Sequence, residues 1–336
     1  GAHVPTKSDA ETAKQRYERA MQSLGSDASL TMSQLVPLCS EGYGRACNKA
    51  GYLTQKGTGA KRDLSQAKTY YLIAIEAGHL KSFISLGKLH LEIGENAEAI
   101  EAFEQAADAG LVKGTAILAW AHAAKRLGRL SDPESGWNTL KQLAQTGQRD
   151  AEILLLDVVS RTKNKTADID AIVKAVHVRW RNDDAKAAEA LSRYFRIIGH
   201  RRGTLAVRSA LLETHGLRDK VRIEEGLYLA AAQHPGNFWS LSEKMVRSAP
   251  KAMFSRALVV SAKIDKNAYV RIIQKELGAL GYPVGRPSPY MNRPLIRSIN
   301  AFCRDHLKSH TCRYGPLKST TIKAVAAKLA AIRSAG

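Results

Sequence analysis

The sequence predicts an all-α fold: an α-solenoid of antiparallel helical hairpins followed by a small three-helix domain. Three observations carry this expectation. Alanine recurs at short intervals through the prospective helices, aromatics make up only 6% of the chain, and no run of alternating Val/Ile/Thr marks a sheet. A glycine-centred turn returns at Gly42, Gly78 and Gly110, at intervals of 36 and 32 residues. After Lys266 the texture changes, with glycine, proline and arginine crowding together.

In chain order, residues 1–29 read as an N-terminal helix and linker, with Gly1-Ala2-His3 as a cloning remnant. Residues 30–160 carry the hairpins. Each unit supplies one helix, a turn whose glycine takes φ > 0, and a second helix with small residues where the backbones approach. Helical runs follow the turns at Cys47–Leu53, Phe83–Leu89 and Thr115–Trp120, and a fourth turn falls at Gly147. Between units, Asp63 is placed to cap a helix whose inward stripe is Leu64, Ala67 and Tyr71. A single hairpin cannot bury its apolar side, so neighbours have to stack. Residues 161–264 hold weaker copies: a start at Asp183-Asp184, a turn at Gly199-His200, a helix over 204–212, and a turn at His234-Pro235-Gly236 with Asn237 as cap.

Residues 45–79 resemble the Sel-one-like repeats, relatives of the tetratricopeptide repeat. Ala46, Leu53, Gly57-Thr58-Gly59, Asp63, Ala67, Tyr71, Ala74 and Ala77-Gly78 fit the pattern, and a second copy keeps Leu86, Ala97, Ala99, Phe103, Ala106 and Ala109-Gly110. The resemblance implies a protein-binding scaffold. It also places Cys39 and Cys47 as in cysteine-rich bacterial members, where a disulfide ties the two helices across the turn. The Asp183-Asp184 start and the helix containing Trp239 are similar to the alginate-secretion scaffolds of the bacterial periplasm, which are built from such repeats.

Over residues 265–336, helices are expected at 270–280, at 294–306 and from about Thr320. Gln274, Leu277, Leu280-Gly281-Tyr282, Gly285, Ile299 and Phe302 resemble the three-helix peptidoglycan-binding domain. Pro287-Ser288 stands where that family has Asp-Gly, and Cys303 to Cys312 brackets an insertion. The resemblance implies a ligand groove by the helix connections, which here offers Tyr282, Arg286, Tyr290, Asn292 and Arg293.

The net charge of +20 is unevenly placed: residues 1–150 carry 18 Lys/Arg against 16 Asp/Glu, and residues 151–336 carry 33 against 15. Such a field attracts anionic partners such as wall polymer, acidic polysaccharide, nucleic acid or a membrane surface. A basic surface is expected at Arg179, Arg181, Arg193, Arg196, Arg201 and Arg202. Single-strand binding needs interleaved aromatic platforms, and only Trp180 and Tyr194 are at hand, so nucleic acid is the weaker expectation. The four cysteines form two local pairs, Cys39 with Cys47 and Cys303 with Cys312, which point to two disulfides and an oxidising compartment, the periplasm. The alternative is four unconnected thiols in a reducing one.

Catalytic signatures are missing. The histidines are scattered singly, with no His-Glu-x-x-His helix, no nucleophile elbow, no P-loop and no dinucleotide turn, so no cofactor, metal or enzymatic activity is expected. Glu92, Glu95, Glu98, Glu101 and Glu104 have helical spacing and read as a solvated helix face. No stretch approaches the length of a bilayer span, and a signal peptide or lipid anchor is expected to have been removed. Together these features predict a non-catalytic periplasmic adaptor that binds envelope proteins through its repeats and polymer through its basic half. The alternative is a regulator that restrains a membrane sensor.

Overall fold

The computed structural model describes residues 11–163, 168–198, 202–308 and 310–336. The described residues are helical with no strand, and the chain divides into two compact units, 1–162 and 163–336.

The first unit contains α1 (Ala13–Gln22), α2 (Ala28–Ser40), α3 (Gly44–Lys56), α4 (Leu64–Glu76), α5 (Ser82–Ile93), α6 (Asn96–Asp108), α7 (Val112–Ala123), α8 (Pro133–Gln145) and α9 (Arg149–Thr162). Each packs against the next, and α3 and α7 also touch α5 and α9, the pattern of stacked hairpins. The repeat glycines close the turns as expected. Gly78 has φ 88° and the His79 amide donates to Ala74 O at 2.9 Å; at Gly110, φ is 85° and the Leu111 amide donates to Ala106 O at 3.0 Å. These bonds satisfy carbonyls that the helix end leaves unpaired. Asp63 caps α4 by accepting the Gln66 amide at 2.9 Å, and Ala67 and Tyr71 are buried.

In the hairpins that turn at Gly42 and Gly78, stacking relies on a glycine in the second helix. A Cβ added to Gly51 would stand 2.8 Å from the Tyr71 ring, and one on Gly87 2.5 Å from the Phe103 ring. The aromatic of the following helix thus lies directly on the bare backbone. The Tyr71 hydroxyl donates to Gln55 Oε1 at 2.6 Å, and Gln55 Nε2 donates to Glu92 Oε2 at 2.6 Å, joining three successive helices.

The acidic run from Glu92 to Glu104 is not one helix face. Gly94, with φ 89°, ends α5, so Glu92 pairs with Arg62, Glu95 accepts from His90, and only Glu98, Glu101 and Glu104 line α6. The spacing is helical, but a left-handed glycine inside it resets the direction of the chain.

The second unit contains α10 (Ile169–Arg181), α11 (Ala185–Ile197), α12 (Leu205–Leu212), α13 (Asp219–Gln233), α14 (Phe238–Ser248), α15 (Phe254–Ile264), α16 (Lys266–Ala279), α17 (Arg293–His306) and α18 (Ser319–Ala335). Asp183 takes the turn position that glycine fills elsewhere, at φ 61°, and Asp184 caps α11 by accepting the Lys186 amide at 3.0 Å. The expected turn at Gly199-His200 lies outside the described residues. Asn237 stands at the start of α14 without a side-chain cap bond.

Helices α16, α17 and α18 form close to the positions expected, and Gly281 stops the first of them with the Tyr282 amide donating to Leu277 O at 3.0 Å. The boundary expected at 264/265, however, falls inside a continuous core. Leu227, Phe238, Phe254, Leu258, Tyr269, Ile273, Leu295, Phe302, Val325 and Leu329 belong to one buried cluster. Helix α16 packs on α14 and α15 as well as on α17, and α18 packs on α15. The glycine, proline and arginine that change the texture after Lys266 sit in loops and on the surface; the apolar positions continue unbroken beneath them.

Candidate functional site

The loop after α16 is fixed by one buried side chain. Gln274 Nε2 donates to Arg286 O at 2.6 Å and Val284 O at 3.2 Å, while its Oε1 accepts the Ser288 amide at 2.8 Å. Between α16 and this loop lies a cavity of about 430 Å³, with Arg271 and Lys275 on one wall and Val284, Pro287 and Pro289 on the other.

The five residues expected to hold a ligand do not line it. Tyr282 packs on Phe302, with ring centroids 6.0 Å apart, and donates its hydroxyl to Asp305 Oδ2 at 2.6 Å. Burial, helped by that bond to a carboxylate, pushes its phenol up to about 12. Asn292 accepts the Leu295 amide at 2.9 Å as the cap of α17. Tyr290 is 61% exposed, edge-on to Trp239 at 5.9 Å. Arg286 and Arg293 are exposed. Two of the five are therefore committed to holding the helix connection together, and three face solvent.

Of the expected basic surface, Arg196 turns inward. Its side chain is 19% exposed, with Nε 2.8 Å from Glu225 Oε2 and the guanidinium 4.1 Å above the Tyr228 ring. A cation placed four residues from α11's inward positions is drawn to a buried carboxylate, so this one does not offer free charge. Arg181 is exposed, Arg179 and Arg193 are half-buried, and Arg201 and the side chain of Arg202 lie outside the described residues.

The same internal consumption of acid recurs through the second unit. Glu243 of α14 accepts from Arg271 Nε at 2.8 Å and from Lys275 Nζ, both on α16. Glu276 accepts from Arg333 Nη1 of α18 at 2.9 Å and Arg247 Nε of α14 at 3.3 Å, and Arg333 also covers the Phe254 ring at 4.4 Å. Sequence reading missed these glutamates.

Burial works to raise the Glu243 carboxyl, yet the hydrogen bonds from Lys275 and Arg271 hold it below the usual carboxylate range. A folded-state value below the unfolded one gives stability that is present at neutral pH and lost as pH falls through the folded value. The urea midpoint of the second unit's transition is expected to drop between pH 5 and 3. Glu243→Gln should cost about 1 kcal/mol at pH 7, because its partners are partly solvated, and should flatten that drop. An unchanged pH profile in the variant would remove Glu243 from the account.

Both cysteine pairs are bonded. Cys39–Cys47, with Cα atoms 4.6 Å apart, joins the end of α2 to the start of α3, and Cys303–Cys312, at 6.2 Å, ties α17 to the loop beyond it. Two disulfides fit an extracytoplasmic address. Among the described residues no group of three His, Cys, Asp or Glu is placed to hold a metal, and no helix is long and apolar enough to cross a membrane.

No family model and no curated protein matches the chain. Solved structures do. One is a Sel1 repeat protein from Oxalobacter formigenes, at 17% identity and TM-score 0.40, covering 69% of this chain and 90% of that one. Another is c5321, a protective antigen present in uropathogenic Escherichia coli strains displaying an SLR fold, at 14% identity and TM-score 0.40, covering 96% of this chain and 83% of that one.

Proposed function

We propose that the protein is a non-catalytic periplasmic scaffold that binds an envelope protein through its first unit and an anionic envelope polymer through its second. The observation that carries this reading is the division of charge. Residues 1–162 hold 19 Lys/Arg against 18 Asp/Glu, and residues 163–336 hold 32 against 13. A near-neutral hairpin stack with exposed apolar side chains, among them Leu72, Ile73, Leu80 and Val112, suits a protein partner. A unit with an excess of 19 positive charges suits a polyanion.

The test uses the full chain. It is expected to sediment with purified wall sacculi or acidic exopolysaccharide at low salt and to be released as salt rises, because screening shortens the reach of the field to about 3 Å at 1 M. Protein remaining in the supernatant at low salt removes the polymer half of the reading. Leu72→Glu with Ile73→Glu should abolish capture of a membrane-extract partner while leaving sedimentation intact. Capture unaffected by the pair removes the assignment of the partner to the first unit.

A further inference from the structure

We propose that the outer face of α17 binds a linear polysaccharide bearing carboxylate groups, an assignment that rests on the polymer reading above and gives it a place. Arg293, Arg297 and Arg304 lie at i, i+4 and i+11, so they fall within about 40° of one another around the helix and span about 16 Å along it. They point directly away from Leu295, Ile299 and Phe302, which are buried in the core. All three are exposed.

None of the three has an acidic partner among the described residues. From residue 269 to the end the chain has only two acids, Glu276 and Asp305. Glu276 is held by Arg247 and Arg333, and Asp305 accepts from Tyr282. The stripe therefore meets no competing carboxylate of its own. The Cys303–Cys312 bridge extends it, because it holds the exposed Lys308 and Arg313 of the following loop beside the last turn of α17.

The kind of polyanion follows from what accompanies the charge. Arginine forks pair with carboxylates in two parallel hydrogen bonds. An exposed tyrosine lies in sequence on each side: Tyr290, three residues before Arg293 and edge-on to Trp239, and Tyr314, two residues after Cys312, with Arg313 over one face of its ring at 4.9 Å, at 61% and 66% exposure. Phenol faces that flank a row of guanidinium groups in the chain suit sugar rings carrying acid groups. A lipid surface is a poorer match, since a membrane-lying helix needs a free apolar side, and that of α17 is buried.

Binding of the full chain to sodium polygalacturonate, with neutral dextran as control, tests the assignment. Arg293→Gln/Arg297→Gln/Arg304→Gln should weaken binding at least tenfold and shallow its salt dependence. Lys244→Gln/Lys251→Gln/Lys263→Gln, which removes the same charge from exposed positions elsewhere in the unit, should weaken it less than threefold. Circular dichroism should match wild type in both, because all six side chains face solvent. Equal losses in the two variants overturn the α17 site while leaving polymer binding in place. Absence of any binding by wild type at low salt removes the polymer reading and the site with it. Tighter binding to phosphatidylglycerol vesicles than to polygalacturonate, lost in the arginine variant, keeps the surface but overturns its occupant.

Discussion

A fragment comprising residues 265–336 is expected to stay unfolded in water, whereas 163–336 folds cooperatively. The short fragment contains all three helices of the expected C-terminal domain, but part of the core they bury is supplied from outside it. Tyr269, Val270, Ile272 and Ile273 of α16 are fully buried, and Phe254, Ala257, Leu258 and Val260 of α15 lie in the same cluster. Fully burying a large apolar side chain is worth about 1.5–3 kcal/mol. A core below 70–80 residues supplies about 3–5 kcal/mol in all. Uncovering even three of the α16 side chains exceeds that. The cut also strips Glu276 of Arg247 and leaves the α18 surface that met α15 in water. Far-ultraviolet circular dichroism and urea titration of the two fragments decide the matter. A cooperative transition in 265–336 alone would show that the shared core is dispensable.

Substitution at Gly87 is expected to be among the most damaging in the first unit. Replacing a helical glycine ordinarily gains about 0.5–1 kcal/mol, because the unfolded chain loses freedom. Here the first added carbon would sit 2.5 Å from the Phe103 ring, closer than any tolerated contact. Phe103 has no room to retreat, being fully buried among Ile84, Ala99, Ala106 and Ile117. Overpacking of this kind costs about 1–3 kcal/mol and more for a branched side chain. Gly87→Ala should therefore lose about 2 kcal/mol and Gly87→Val more than 3 kcal/mol. Adding Phe103→Leu to Gly87→Ala should recover part of the loss, although Phe103→Leu alone destabilises. The double-mutant cycle measures this coupling, and simple additivity would refute the contact.

These two sites mark what was legible in the sequence and what was not. The turns could be read because a left-handed residue is a local demand, and glycine at 42, 78, 110 and 147 answers it. Asp183 answers the same demand without glycine, and the pair Asp183-Asp184 was read as a helix start with no turn assigned to Asp183. Phe103 was in the repeat pattern and Gly87 only inside an expected helical run, and their meeting across two helices is non-local. The boundary at 264/265 was misplaced for a related reason. Loop composition changes there, while burial at Val260, Ala262, Ala268 and Tyr269 continues across it. Among the candidate ligands, Tyr282 and Asn292 have the residue types of a binding loop and the geometry of a helix connection. Whether an arginine is free depends on where each rare glutamate lies, so Arg196 and Arg293 look alike in the chain and differ entirely in the fold.

The enclosure of acids in the second unit has a further consequence. Its surplus consists of guanidinium and ammonium groups that keep their charge far above neutrality. Glu189, Glu225, Glu243 and Glu276 are paired with arginine, and Glu243 is held ionised below the usual range, so mild acidification leaves it charged. The unit therefore resembles an ion-exchange resin of the strong kind. At neutrality and somewhat above it, the capacity is set by the counter-ions around it.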